Sequence, residues 1–127
     1  MAHTRLSLRI DLANGSRLGP GKVNLLEAVR ACSSISAAAR EQGMSYRRAW
    51  LLIDDMNKAF QQPVVETFPG RSRGKGAAVT AFGERLITLY RTAETKLAGA
   101  VAEEAKEIEA LSDINYDSAH VKPQSRS

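Results

Sequence analysis

The chain has 127 residues, 43% hydrophobic and 25% charged, which is enough for one compact domain with an extension. No apolar run reaches the roughly 18 residues that span a bilayer, and the alternating N-terminus lacks a signal peptide's continuous apolar centre, so the expected location is the cytoplasm. The net charge of +4 is unevenly spread, +7 over residues 1–93 and −5 over residues 94–117, so a polyanionic partner is expected for the first part only.

"LSLRIDLANGSRLGPG" opens with strict alternation. Leu6, Leu8, Ile10 and Leu12 share one face, while Ser7, Arg9 and Asp11 share the other, the pattern of a half-buried strand. Asn14-Gly15 predicts a type I′ hairpin turn. From Lys22 to Cys32 the set Leu25, Leu26, Val29 and Cys32 gives one apolar helical face. Cys32 is the single cysteine, which excludes an intrachain disulfide and a cysteine-based metal cluster. It reads as a small buried hydrophobe.

In "SISAAAREQGMSYRRAWLLIDDMNKAF", Ser34 or Ser36 caps a short helix over residues 37–40. Gly43 ends it in a left-handed conformation, and Ser45 caps a second helix running to about Phe60. The second helix turns Ala49, Ile53, Met56 and Phe60 inward and Arg47, Leu51, Asp54 and Lys58 outward, with Trp50 on the flank as packed core. A short helix, a glycine turn and a second helix make a helix-turn-helix, with small Ala39 and Ala49 allowing close approach. "PVVETF" and "AAVT" are strand candidates on either side of "PGRSRGKG". The three form a hairpin whose basic tip, Arg71, Arg73 and Lys75, is expected to be mobile without DNA. Its spacing does not fit a Walker A loop, which needs four residues between Gly and Gly-Lys and then Ser or Thr.

Thr80 caps a last helix of roughly 30 residues and about 45 Å. Leu86, Tyr90, Ala93, Leu97, Val101, Ala105 and Ile108 recur every three or four residues along it. The stripe runs past the length one small domain can cover, so a two-fold dimer through these residues is expected. After Ser112 the chain is polar and aperiodic and reads as a disordered tail. His3 and His120 lie far apart near the chain ends, and no catalytic arrangement of Ser, His and Asp or of paired carboxylates is found. Neither an enzyme, a metal site nor a cofactor is expected.

The expected fold is mainly α with small β. A winged helix-turn-helix spans residues 1–80 with an N-terminal β-hairpin, a dimerisation helix spans 81–111, and a tail spans 112–127. The second helix would enter the major groove N-terminus first. Ser45, Tyr46, Arg47 and Arg48 would approach bases, and Leu51 a thymine methyl. Ser36, Arg71, Arg73 and Lys75 would hold phosphates.

"SISAAAREQGMSYRRAW" followed by "VVETFPGRSRGKGAAVTAFGERLITLY" resembles the N-terminal DNA-binding domain of ModE-type molybdate-dependent transcriptional regulators and, more distantly, the winged helix of LysR-type regulators. The resemblance runs from about Leu6 to Tyr90. It implies a dimeric, sequence-specific regulator of a palindromic operator, linked to molybdenum metabolism. It also implies DNA contacts at Ser45, Tyr46, Arg47, Arg48 and the wing. The family's C-terminal molybdate-binding modules have no counterpart in this sequence. The alternatives are an adaptor that pairs with a separate sensor protein and a non-specific architectural DNA-binding protein.

Overall fold

The computed structural model describes residues 4–68 and 76–117. In chain order the elements are β1 (Ile10–Asp11), β2 (Arg17–Leu18), α1 (Pro20–Cys32), α2 (Ile35–Glu41), α3 (Tyr46–Ala59), β3 (Val65–Thr67), β4 (Ala77–Val79), α4 (Ala81–Ala100) and α5 (Ala102–Leu111). The fold class is the expected one, mainly α with two small antiparallel hairpins.

The N-terminal hairpin is shorter than its alternating pattern predicts, since only β1 and β2 pair, with Ile10 opposite Leu18. The turn also differs from the type I′ expectation. The Leu12 N–H donates to Ser16 O and the Gly15 N–H to Leu12 O. Of the turn residues only Gly15 has positive φ, at 93°. This is a three-residue loop, a type I turn closed by a left-handed glycine. Asn14 is committed elsewhere: its Oδ1 accepts from the Ser16 N–H, and its Nδ2 donates to Ala59 O at the end of α3.

Pro20 begins α1, where its missing N–H costs nothing. The helix buries Val23, Leu25, Leu26, Ala28 and Val29. Cys32, at its last turn, is only half-buried. The helix ends at Ser33, the one non-glycine residue with positive φ among those described, at 56°. Ser33 O in turn accepts from the Ala77 N–H, joining α1 to β4.

Ser34, rather than Ser36, caps α2 by accepting from the Ala37 N–H. The helix closes with paired bonds from Gly43 N–H to Arg40 O and from Met44 N–H to Ala39 O, with Gly43 at φ 68°. This is a Schellman motif, which satisfies orphan carbonyls and turns the chain sharply into α3. Ala39 and Ala49 are buried at the crossing, as expected from their size.

β3 and β4 pair antiparallel, with Val65 opposite Val79 and Thr67 opposite Ala77. The Phe68 N–H to Gly76 O bond continues the ladder toward the tip. Arg71, Arg73 and Lys75 lie outside the described residues. Thr80 joins the wing to α4: its hydroxyl donates to Pro63 O at 2.7 Å and accepts from the Gly83 N–H at 3.0 Å. Gly83 sits against β3, and a Cβ there would collide with Val64 O and lie 2.8 Å from Val79 Cγ1.

The expected single long helix is divided. Val101, at φ −113° and ψ 19°, separates α4 from α5. The bonds from Val101 N–H to Leu97 O and from Ala105 N–H to Val101 O carry the chain across this break. No residue of α5 is buried. Of the expected tail, residues 112–117 form a local turn in which Asp113 Oδ1 and O accept from Asn115 and Tyr116. Residues 118–127 lie outside the description.

Candidate nucleic-acid interface

The interface is built on α3, and its inner face fixes which side chains remain outside. Ala49, Ile53 and Met56 are buried and Phe60 is partly so, which turns the opposite side to solvent. The Ser45 hydroxyl accepts from the Arg48 N–H at 3.1 Å, so the helix starts with a satisfied cap. The next turn carries Tyr46, Arg47 and Arg48, all exposed, with Leu51 exposed one turn on. No acidic residue occurs between Ser45 and Ile53. Neither Arg47 nor Arg48 forms an ion pair among the described residues. The positive helix terminus adds to their charge, so this end attracts an anion.

The second half of α3 has the opposite character. Asp54 is held by Lys58 at 2.8 Å and Asp55 by Lys22 at 2.9 Å. Donating a hydrogen bond to the Asp54 carboxylate raises the Lys58 pKa. These ion-paired carboxylates leave the C-terminal half of α3 without the net positive charge of its first turn.

The position of Trp50 corrects the sequence reading. It is 44% exposed rather than packed in the core, and Tyr46 and Leu51 beside it are 54% and 47% exposed. Together with Arg47 they line a shallow apolar hollow of about 320 Å³. Ser36 is exposed on α2.

Asn57 was missed from sequence and ties α3 to the wing. Its Oδ1 accepts from the Val64 N–H at 2.8 Å and the Val65 N–H at 3.2 Å, while its Nδ2 donates to Val65 O at 3.2 Å. One side chain thus sets α3 and strand β3 in fixed relation. No sequence signal marks it, because all three partners are backbone groups.

The expected dimer stripe splits into two parts. Tyr90 is a core residue: it is 1% exposed, and its hydroxyl donates to Leu8 O. Burial raises its pKa. Tyr90 therefore has no surface left to offer a partner, and Leu86 packs against the same core. Ala93, Val101 and Ala105 are half-buried, whereas Leu97 and Ile108 are exposed at 38% and 65%. Leu89 and Leu111, which the stripe omitted, are also exposed.

Beside this stripe Arg91 donates to both Glu27 carboxylate oxygens, to Glu94 and to Asn24, at 2.6–3.1 Å. The Arg91 hydrogen bonds hold the Glu27 carboxyl below its ordinary range. The network clamps α4 onto α1 and so serves the scaffold rather than the interface.

Among the described residues there is no group of three or more His, Cys, Asp or Glu that could hold a metal ion. No helix among them is long and apolar enough to cross a membrane.

Comparison with known proteins agrees with this geometry. The molybdenum-pterin-binding protein MopB of Rhodobacter capsulatus is 40% identical over 107 residues, covering 84% of this chain and 37% of that protein. The transcriptional regulator ModE of Haemophilus influenzae is 37% identical over 90 residues, covering 71% and 35%. The DNA-binding transcriptional dual regulator ModE of Escherichia coli K12 is 39% identical over 71 residues, covering 56% and 27%. The chain spans about a third of the length of the curated relatives it matches. The ModE resemblance read from the sequence is borne out by these homologues. No family model matches the chain. Among solved structures, the crystal structure of the CbnR DNA-binding domain in complex with DNA superposes with a TM-score of 0.52 at 19% identity. The match covers 69% of this chain and 94% of that one, and the shared fold is a winged helix.

Proposed function

We propose that this chain is a sequence-specific DNA-binding transcriptional regulator that acts as a homodimer on a palindromic operator. The observation that carries this reading is the first half of α3, a capped, acid-free helix end with Tyr46, Arg47, Arg48 and Leu51 exposed. Such a helix end fits the major groove. Arg47 or Arg48 can donate two bonds to guanine O6 and N7, and Leu51 can meet a thymine methyl. Ser36 on α2 and the basic wing residues Arg71, Arg73 and Lys75 would hold phosphates on either side. The ModE relatives, which are transcriptional regulators, and the DNA complex formed by the structural neighbour support the same partner. A role in molybdenum-linked regulation follows from the names of the ModE and MopB relatives, and no catalytic role is assigned.

The dimer would form through α4 and α5, where Leu97, Ile108 and the added Leu89 and Leu111 expose apolar surface. Pairing two copies would remove that surface from water at about 25 cal/mol per Å². Tyr90 and Leu86 are left out of this interface, as they serve the core. The domains would then be a DNA-binding unit over residues 1–80 and a dimerisation segment over residues 81–111.

The test is titration of the purified chain against a duplex enriched by it from a random pool and against a scrambled duplex, over a range of salt. Selective binding at physiological salt, with a steep loss of affinity as salt rises, is the expected result. Equal affinity for both duplexes would indicate architectural binding. A stable complex with a separate protein and no DNA binding would indicate an adaptor.

A further inference from the structure

The shallow hollow on α3 is lined by three apolar or aromatic side chains, Tyr46, Trp50 and Leu51, and one cation, Arg47. Tyr46 and Trp50 stand one turn apart, and so do Arg47 and Leu51, which gives two parallel rows on one exposed face. The Trp50 indole is nearly half exposed. Neither it nor the Tyr46 hydroxyl has a hydrogen-bond partner among the described residues. Leaving a tryptophan in water at the end of a helix whose core face is already filled forgoes burial that folding would otherwise gain.

We propose that Trp50 is a specificity-determining residue. With Tyr46 and Leu51 it forms an apolar ridge that reads the 5-methyl groups of thymine in the major groove. The proposal rests on the DNA-binding reading above and names what that surface selects. The thymine methyl is the one apolar group that base edges present in the major groove. The ridge has Arg47 within it and Arg48 beside it, and no acid precedes Asp54. That charge suits a polyanion carrying apolar groups. It does not suit an apolar protein surface, which would leave both arginines unpaired.

The test uses duplexes enriched by the intact chain from a random pool, each then remade with deoxyuridine in place of every thymidine. This change removes the methyl and leaves the hydrogen-bonding edge intact. The wild-type protein should lose ~4-fold in affinity for each methyl that the ridge covers, the value of one buried carbon. Trp50→Ala should bind the thymidine duplex more weakly and lose part of the discrimination between the two duplexes. Alanine favours helix, so circular dichroism should match wild type, while the covered part of the indole is lost and the melt falls somewhat, so binding is compared well below the variant's Tm. Equal wild-type affinity for the two duplexes, with selectivity over scrambled DNA retained, would overturn the ridge and leave the regulator reading standing. Full discrimination retained by Trp50→Ala would also overturn it. A change in oligomeric state on Trp50→Ala without DNA would place a second copy on the ridge and count against the proposal. Failure to enrich any duplex would remove the regulator reading and this one with it.

Discussion

Replacing Asn57 by alanine should separate the wing from the recognition helix. Three hydrogen bonds are lost, two from buried N–H groups of Val64 and Val65 and one to Val65 O. Each ordinary bond contributes about 1 kcal/mol, and a buried group left without a partner costs about 1–3 kcal/mol. Losses at neighbouring groups are not additive, so a total of about 2–4 kcal/mol is expected rather than the sum of the maxima. For a domain of this size that corresponds to a fall in Tm of roughly 8–16 °C. The assay is thermal unfolding at one fixed protein concentration, because the proposed dimer would make Tm depend on concentration. Lys58→Ala, next in sequence, is the control and should leave the melt nearly unchanged, since it removes only a solvent-exposed pair with Asp54. Well below the variant's Tm, Asn57→Ala should also bind DNA more weakly, since α3 and the wing would no longer be held in register. A Tm within 2 °C of wild type (roughly half a kcal/mol) would refute the reasoning that Asn57 joins the two elements.

The same substitution should act oppositely at two glycines of α4. Gly83→Ala drives a Cβ into the Val64 carbonyl and should cost about 1–3 kcal/mol despite better helix propensity. Gly99→Ala meets nothing within 4 Å and should stabilise by up to about 1 kcal/mol, as read by paired melts. Glu27→Gln should cost ~1 kcal/mol at pH 7, since the pair with Arg91 is about a third exposed and partly screened. The depressed Glu27 pKa contributes stability that is complete above the ordinary value of 4.5 and is lost as pH falls through the lowered one. Denaturant melts from pH 7 to pH 3 should therefore show a smaller acid loss in Glu27→Gln than in wild type. Arg47→Ala should relax preference at one base position. Lys75→Ala should weaken all duplexes alike and flatten the salt slope by about one unit, which competition binding against single-base variants distinguishes.

The helix-turn-helix was legible because its determinants are local. A serine cap, a glycine needing positive φ and two alanines at the crossing all sit within 16 residues, and each leaves a mark in the sequence. The two hairpins were legible as pairs but not in extent, since alternation says which side is apolar and not how far the partner strand reaches. Tyr90 was misplaced for a related reason. Periodicity gave the apolar stripe of α4 but not what covers it, and the N-terminal segment meets the middle of α4 at Tyr90, whose hydroxyl donates to Leu8 O. Trp50 was misplaced because a large aromatic beside Ala49 and Ile53 reads as core, while the buried arc of α3 is narrow and already filled. Asn57 was silent because its partners are backbone groups, and Arg91 because Asn24 and Glu27 lie 67 and 64 residues away in the chain. The break at Val101 was hidden because the apolar spacing continues across it.

The most direct test of the account is enrichment of random duplexes by the purified chain, followed by sequencing of the bound pool. The account predicts an inverted repeat with two equivalent half-sites whose centres lie about one helical turn, or a multiple of it, apart. A single unrepeated motif would contradict the two-fold dimer, and a bound pool no different from the input would contradict sequence-specific recognition by α3.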